Sequence, residues 1–595
     1  MDQRTAPASN PAASNGCEHH ASAWLGLVDS DDPQQALASA HWDKLLNALL
    51  GRLTAGISPA ALSLAYTDWM LHLALSPSRR ELLLLKVWRK YLRWLALARP
   101  GAACAIEPLP QDKRFADPAW QRWPYRQIYQ GFLLQQQWWH AASTGIPGMS
   151  QHHEDVASFV ARQWLDMVAP SNFVLTNPVV QDACLRSGGM NLVRGAARLG
   201  KNVTRTLAQA GKPPVNEAVG KTVAITSGTV VFRNHLIELI RYAPQTKQVH
   251  AVPLLVVPAW IMKYYILDLS PENSLVRYLV QHGHTVYMIS WRNPDAEDRE
   301  LSLEDYRQLG VMAAVDAACA DSGAPKLNAA GYCLGGTLLS IAAAAMARDG
   351  DQRLNSLTFF AAQADFKEPG ELSLFIDDSQ VSFLEACMWK QGYLDTSQMA
   401  GAFQLLRSHD LIWSHRLRSY LLDLPEPDSD LMAWNADATR MPYRMHTQYL
   451  RHLFLRNELA EGRYCAGGHP VALSDIRTPA FCVGTLADHV APWRSVFKLQ
   501  RLLHGDVHFL LTSGGHNAGV VSPPGTPGRR YQLARHGAGD TYIDADAWSA
   551  SVPSQDGSWW PAWQKWLAAH SGKLAAPQRY RDGLCDAPGT YVFQR

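Results

Sequence analysis

The hexapeptide Gly331-Tyr332-Cys333-Leu334-Gly335-Gly336 constrains this chain more than any other stretch. An apolar lead-in (Leu327, Ala329, Ala330) runs into it, and Thr337 to Met346, rich in Ala and Leu, runs out of it. The pattern predicts strand, sharp turn, helix. Glycines two positions either side of the central residue let strand and helix pack closely, and a side chain on such a strained turn is presented for reaction. Cys333 holds that place. The Leu334 N–H then faces the same space, at a helix N-terminus whose partial positive charge favours both a thiolate and an oxyanion. The competing reading is a buried cysteine packing as a small hydrophobe; the flanking glycines favour a nucleophile.

A thiol nucleophile needs a base and a group that orients the base. In α/β hydrolases these follow the nucleophile in the order acid, histidine, each on a loop after a strand. Phe481 to Gly484 reads as a strand ending in Thr485-Leu486-Ala487-Asp488-His489, and Phe509 to Leu511 as one ending in Ser513-Gly514-Gly515-His516. His516 is the expected base and Asp488 the expected acid, with Asp365, after an earlier strand, as the rival. His489, beside the acid, reads either as a structural hydrogen-bonding partner or as a contributor to the site. The second oxyanion donor is expected from the loop after Val257: Pro258 has no N–H, which leaves Ala259, Trp260 and Ile261. Asp268 reads as a site residue or a helix cap.

The surrounding chain fits that constellation. The texture before residue 210 is helical; from about 211 onward strands alternate with helices, which implies a mostly parallel sheet covered on both faces, an α/β-hydrolase fold. Expected strands are Thr222–Ile225, Thr229–Arg233, Leu236–Tyr242, Pro253–Val257, Thr285–Ser290, Leu327–Ala330, Leu357–Ala361, Ala480–Gly484 and Val507–Thr512. The rhythm breaks into a helical insertion over about 366–476, where a lid over the site belongs. Residues 1–20 read as a flexible tail without a leader pattern, 21–210 as a helical N-terminal domain and 211–595 as the catalytic domain, with Gly211-Lys212-Pro213-Pro214 as the boundary. Within the helical part, Leu84, Trp88, Tyr91, Leu95 and Ala98 share one face beside a basic surface of Arg79, Arg80, Lys86, Arg89, Lys90 and Arg93. That face either docks on the protein's own core or lies on an external apolar surface.

With 55 Lys and Arg against 53 Asp and Glu, the net charge of +2 carries no basic block for nucleic acid. Nine cysteines without a C-x-x-C pair or a Cys/His cluster point to a reducing cytosol and to no metal centre. No apolar run is long enough to span a membrane.

The Cys333 box, the segment VPAWIMKYYILDLSPENSLVRYLVQHGHTVYMISWRNPD from Val257, DLIW at Asp410, WNADAT at Trp434, GTLADHVAPW around Asp488 and GGHNAGVVSPPG around His516 together resemble a polyhydroxyalkanoate synthase of the class I type. RFADPAW at Arg114 and APGTYV at Ala587 match as well. The resemblance implies a cytoplasmic, granule-associated acyltransferase that needs no cofactor and polymerises short-chain (R)-3-hydroxyacyl-CoA with release of CoA. It implies that Cys333 carries the acyl chain, that His516 activates the thiol, that Asp488 assists in activating the incoming 3-hydroxyl, and that Trp434 belongs to a mobile cap. It further implies a homodimer and contact with the growing polyester and the granule surface. Ala259, Met262, Ala487 and Asn517 depart from the residues usual in the family. The alternatives are a polyester depolymerase or acyl-CoA thioesterase of the same fold, and a granule-binding protein with a dead site; intact Cys333, Asp488 and His516 weigh against the last.

Overall fold

The computed structural model describes residues 42–595 apart from 52–53, 55, 100, 110–111, 209–217, 397, 400, 402–407, 409–411, 426–428, 538, 579 and 581. The expected N-terminal tail, the Gly211–Pro214 boundary and the first half of DLIW lie outside the described residues.

The N-terminal part is built from helices α1 (Pro59–Ala74), α2 (Pro77–Ala96), α3 (Tyr125–Ser143), α4 (Gln151–Met167), α5 (Pro178–Ser187) and α6 (Met190–Ala208). Helix α1 starts where a residue pair dictates it: the Ser58 hydroxyl accepts the Ala61 N–H, and Pro59, which has no N–H to satisfy, takes the first position. A small core of Phe115, Trp120, Tyr129, Phe132, Leu133 and Leu165 joins α3 and α4 to the turn before them. Arg114 seals its edge between Asp112 (2.7 Å) and Asp166 (2.8 Å). Helix α2 overturns the docked reading of its face. Leu84 is 70% exposed and Trp88 58%, and Tyr91 and Leu95 are exposed too, while Leu83 is buried and its carbonyl accepts Trp138 Nε1–H at 3.1 Å. The run of four leucines at 82–85 offers two candidate inward faces, and the helix buries the one the spacing pattern did not select.

The chain then enters an eleven-stranded sheet: β1 (Gly228–Arg233), β2 (Ile237–Tyr242), β3 (Leu254–Val257), β4 (Val286–Trp291), β5 (Leu327–Tyr332), β6 (Leu354–Phe360), β7 (Ala480–Thr485), β8 (Val507–Thr512), β9 (Arg530–His536), β10 (Ser554–Asp556) and β11 (Cys585–Asp586). Spatial order is β10-β9-β8-β7-β6-β5-β3-β4-β2-β1-β11. The six strands β4, β3, β5, β6, β7 and β8 run parallel and the flanks antiparallel. Buried at every position, β3, β4, β5 and β7 read as continuous apolar runs, as strands covered on both faces must. Helices α7 (Leu275–Gln281), α8 (Ala313–Ser322) and α9 (Leu334–Arg348) pack on the sheet, and Trp560–Ala569 covers the face opposite α9, with Trp563 Nε1–H on the Thr358 hydroxyl at 3.1 Å. Thr222–Ile225 is not a strand: only Val223 makes a bridge, to Val219, because the segment turns back on itself there. Strands β9 to β11 escaped prediction because β9, half-exposed with Arg, Gln and His in it, lacks the apolar run of its neighbours.

Between β6 and β7 the insertion forms a cap over the carboxyl ends of the parallel strands. Its last helix, α10 (Tyr443–Gln448), continues without a break as a π-helical stretch, Tyr449–Leu455. The N-terminal helices meet this cap. Gln380 of the cap accepts the Ser58 N–H (2.7 Å) and donates to the Gly56 carbonyl (2.6 Å), Phe159 lies edge-on to Phe375, and Asn191 donates to the Leu421 carbonyl (2.7 Å). Among the described residues no helix is long and apolar enough to cross a membrane.

Candidate active site

Cys333 stands between β5 and α9 at φ 51°, ψ −124°, a conformation that side chains other than glycine rarely adopt. Packing holds it there. A Cβ on Gly331 would come within 2.3 Å of Gly336 Cα, and one on Gly335 within 2.1 Å of the Val257 carbonyl oxygen, so strand, helix and the end of β3 meet only because these positions lack side chains. The Cys333 N–H donates to the Phe360 carbonyl at 2.9 Å. Leu334 is the first residue of α9, where an N–H has no partner within the helix.

Register brings the other loops alongside. Val257 pairs with Gly331, which sets residues 258–261 beside the elbow; Thr485 pairs with Thr512, which sets the Asp488 and His516 loops side by side. His516 Nδ1 lies 2.7 Å from Asp488 Oδ2. The carboxylate is saturated: Oδ2 also accepts the Thr485 hydroxyl (2.8 Å), and Oδ1 accepts the N–H groups of Val490 (2.9 Å) and Ala491 (2.8 Å). Burial alone would raise the Asp488 carboxyl, but the facing His516 charge and these donors hold it below the usual carboxylate range. Burial likewise opposes the imidazolium, yet Asp488 and then Cys333 outweigh it and hold His516 well above the ordinary histidine range. A protonated histidine opposite a thiol is the counter-charge that a reactive thiolate needs. Asp365, the rival acid, makes no bond to His516. It accepts the Lys367 N–H (2.8 Å) and lies 3.6 Å from Lys498, an anchor of the cap's first residues.

The candidate oxyanion loop is fixed by the cap and by the sheet. Thr439 of the cap donates from its hydroxyl to the Trp260 carbonyl and from its N–H to the Ile261 carbonyl (3.0 Å), and Trp291 Nε1–H donates to the Pro258 carbonyl (2.9 Å). Ile261 lines the cavity at Cys333; Trp260 is buried behind it, edge-on to Tyr449. Three sequence candidates stand elsewhere. Asp268 accepts the hydroxyls of Thr226 and Ser274 (2.7 Å for the latter) in the core under α7 and does not reach the cavity. Trp434 donates to the Lys263 carbonyl (2.7 Å), pinning the cap to the segment after β3 rather than lining the site. His489 is half-buried beside the acid, its carbonyl accepting the Glu371 N–H at 3.0 Å, while its neighbours Val490 and Ala491 line the cavity. Asn517, a departure residue, accepts the Tyr332 hydroxyl (2.7 Å) and donates to Asn435 of the cap (3.3 Å).

Above Cys333 the cap closes an apolar cavity of ≈ 140 Å³ whose described lining residues include no Asp, Glu, Lys or Arg. Several polar residues of that wall escaped the sequence reading, among them Tyr449 and His446. His446 is 6% exposed, its Nδ1 has no hydrogen-bond partner, and burial pushes its pKa down to about 4, so it is neutral at pH 7. The signal available was one histidine within the helical apolar stripe Met441, Met445, Tyr449, Leu453. Gly56 and Ile57, from before α1, complete the wall. Among the described residues no group of His, Cys, Asp or Glu is placed to hold a metal ion.

Three family models match the chain: poly-beta-hydroxybutyrate polymerase N terminal over residues 37–79, poly-beta-hydroxybutyrate polymerase (PhaC) N-terminus over 111–279, and alpha/beta hydrolase fold over 252–522. A poly(3-hydroxyalkanoate) polymerase of Methylorubrum extorquens is 40% identical over 498 residues, 82% of this chain and 81% of that one. The poly(3-hydroxyalkanoate) polymerase subunit PhaC of Cupriavidus necator is 37% identical over 512 residues (84% and 85%), and poly(3-hydroxyalkanoate) polymerase 2 of Ectopseudomonas oleovorans 36% over 505 residues (82% and 88%).

Proposed function

The chain belongs to the poly(3-hydroxyalkanoate) polymerase family and is an acyltransferase, and on that premise we propose that Cys333 carries the growing chain as a thioester and that the preferred unit is a short 3-hydroxyacyl group drawn from its CoA thioester. The observation that carries this reading is the combination of a thiol on a strained elbow, an imidazolium paired to it, and an uncharged cavity closed above both. The thiolate attacks the thioester carbonyl, the oxyanion takes the Leu334 N–H and one from Ala259 to Ile261, and CoA leaves with the His516 proton. The 3-hydroxyl of a further unit then gives its proton to His516 and attacks the acyl carbon; an ester forms as a thioester breaks. Asp488 works through His516, because all four of its acceptor positions are filled by the protein. Water has to stay out between the steps, and the cap supplies the apolar cover for that.

Size supports the short unit: a dry cavity of roughly 150 Å³ takes a guest about as large as benzene, and the space at Cys333 is ≈ 140 Å³. The exposed Leu84, Trp88, Tyr91 and Leu95 face suits a polymer granule in the cytoplasm or a second subunit of a homodimer. With 3-hydroxybutyryl-CoA, CoA release should accompany turbidity and a high-mass polyester, and butyryl-CoA should acylate Cys333 without elongation. Stoichiometric free acid in a clear solution would overturn this reading in favour of a thioesterase.

A further inference from the structure

Two further apolar cavities lie in line with the one at Cys333. The second, of ≈ 370 Å³, is walled by α1, α4 and the cap, and it shares Ile57, Phe375 and Gln380 with the catalytic cavity. The third, of ≈ 550 Å³ among α1, α3 and α4, shares Leu62, Val156, Val160 and Trp164 with the second. Its rim is at the surface: Tyr66 is 58% exposed and Trp164 63%. The volumes increase outward, and the route crosses the seam between the N-terminal helices and the cap.

We propose that this row of cavities is the path by which the growing polyester leaves Cys333, so that the N-terminal helices form the outer half of the product channel. The inference rests on the polymerase reading of the site. A chain tethered at the thiol and lengthened there has to be displaced outward by one ester unit per cycle. Such a chain has methyl and methylene groups and ester acceptors, and no donors along its length. It therefore needs walls that are apolar and whose polar groups are already satisfied.

The described lining of the two outer cavities is mostly apolar, and the polar side chain at the first neck is satisfied. Gln380 at the first neck has both ends occupied, by the Ser58 N–H and the Gly56 carbonyl. Asp377, the one charged residue among the described lining of the second cavity, caps its own helix through the Gln380 N–H (2.8 Å) and faces His152 at 3.3 Å. Among its described lining residues the third cavity has no charged one. Ile57 and Phe375, both half-buried, stand where the first two cavities meet, and displacement of these two side chains joins them.

The test uses the full chain with a large residue placed far from the thiol: Ala61→Trp in the second cavity and Ala161→Trp in the third, with Ala61→Ser and Ala161→Ser as size controls. Circular dichroism and the thermal midpoint report folding. Rapid-quench labelling of Cys333 by 3-hydroxybutyryl-CoA should stay within about twofold of wild type in both Trp variants, while the mean polymer length drops at least tenfold and short oligomers accumulate. The Ser variants should make full-length polymer. As a measurement independent of folding, a CoA thioester of a 3-hydroxybutyrate hexamer carrying a terminal diazirine, given to the wild-type enzyme, should photolabel peptides of α1 and α4. Full-length polymer from both folded Trp variants, or photolabel confined to the cap, would overturn the proposal. So would a parallel loss of the first acylation, which would make the row a substrate entrance. Free 3-hydroxybutyrate as the wild-type product would instead sink the polymerase reading itself.

Discussion

The sheet and its cover contribute to the site in different ways. The three groups to which we assign the chemistry sit at the carboxyl ends of parallel strands, Cys333 after β5, Asp488 after β7 and His516 after β8, and backbone pairing of neighbouring strands sets them side by side. The cover consists of the cap and the N-terminal helices, and it supplies most of the described cavity wall. Polar pins hold it to the sheet region, among them Trp434 to Lys263, Thr439 to Trp260 and Ile261, and Asp365 to Lys498. The chemistry is built on rigid elements, and the medium in which it runs is set by parts that are separately attached.

If that division holds, substitutions in the sheet should stop bond-making and substitutions in the cover should change what the acyl group meets. Cys333→Ala should lower CoA release by about 10⁴-fold or more, since no other group can hold the chain, and His516→Gln should block labelling of Cys333 in a rapid-quench experiment. Asp488→Asn should slow the first acyl transfer and elongation by the same factor, roughly 10²-fold or more, because its oxygens are all occupied. Unequal loss in the two steps would show that Asp488 reaches the hydroxyl directly and would blur the comparison. Removing the chain before Arg114 takes Gly56 and Ile57 out of the wall; the expected result is a folded catalytic part that diverts acyl groups to water, with free 3-hydroxybutyrate per CoA rising about tenfold. An unfolded product by circular dichroism would place those helices within the core of the sheet region.

His446 sharpens the comparison through pH. Its folded pKa of about 4 lies below the ordinary 6.5, so the unfolded chain binds the extra proton between those values and stability falls as pH drops from 6.5 toward 4. In urea unfolding between pH 7 and pH 5, His446→Phe should lose about 2 kcal/mol less than wild type. The smallest effect is expected on α2: Leu84→Ser with Trp88→Ser should shift stability by less than about 0.5 kcal/mol per site, since both are exposed, while weakening sedimentation with polymer granules.

The same division explains what could be read from sequence. A strand followed by a loop is a local pattern, so the gathering of the Cys333, Asp488 and His516 loops was legible, and the parallel core with them. Whether a residue lines a cavity depends on contacts hundreds of positions apart: Gln380 on Gly56, Thr439 on Ile261. Trp434 and Asp268 matched a family pattern yet serve as anchors, whereas His446 looked like one more helical position. The two readings of the α2 face could not be separated in the sequence because four successive leucines carry no phase, and β9 to β11 were missed because half-exposed edge strands lack an apolar run.

Asn517 ties the two regions together next to the base itself. Its amide spans Tyr332 of the elbow strand and Asn435 of the cap, one residue from His516. A cap displacement that breaks the Asn435 contact removes a bond worth about 1 kcal/mol net, or about a fivefold change in population. Linkage of this kind is reciprocal. Any partner that shifts the cap therefore acts on a contact one residue from His516, and whatever strengthens that contact from the side of the elbow holds the cap down by the same amount.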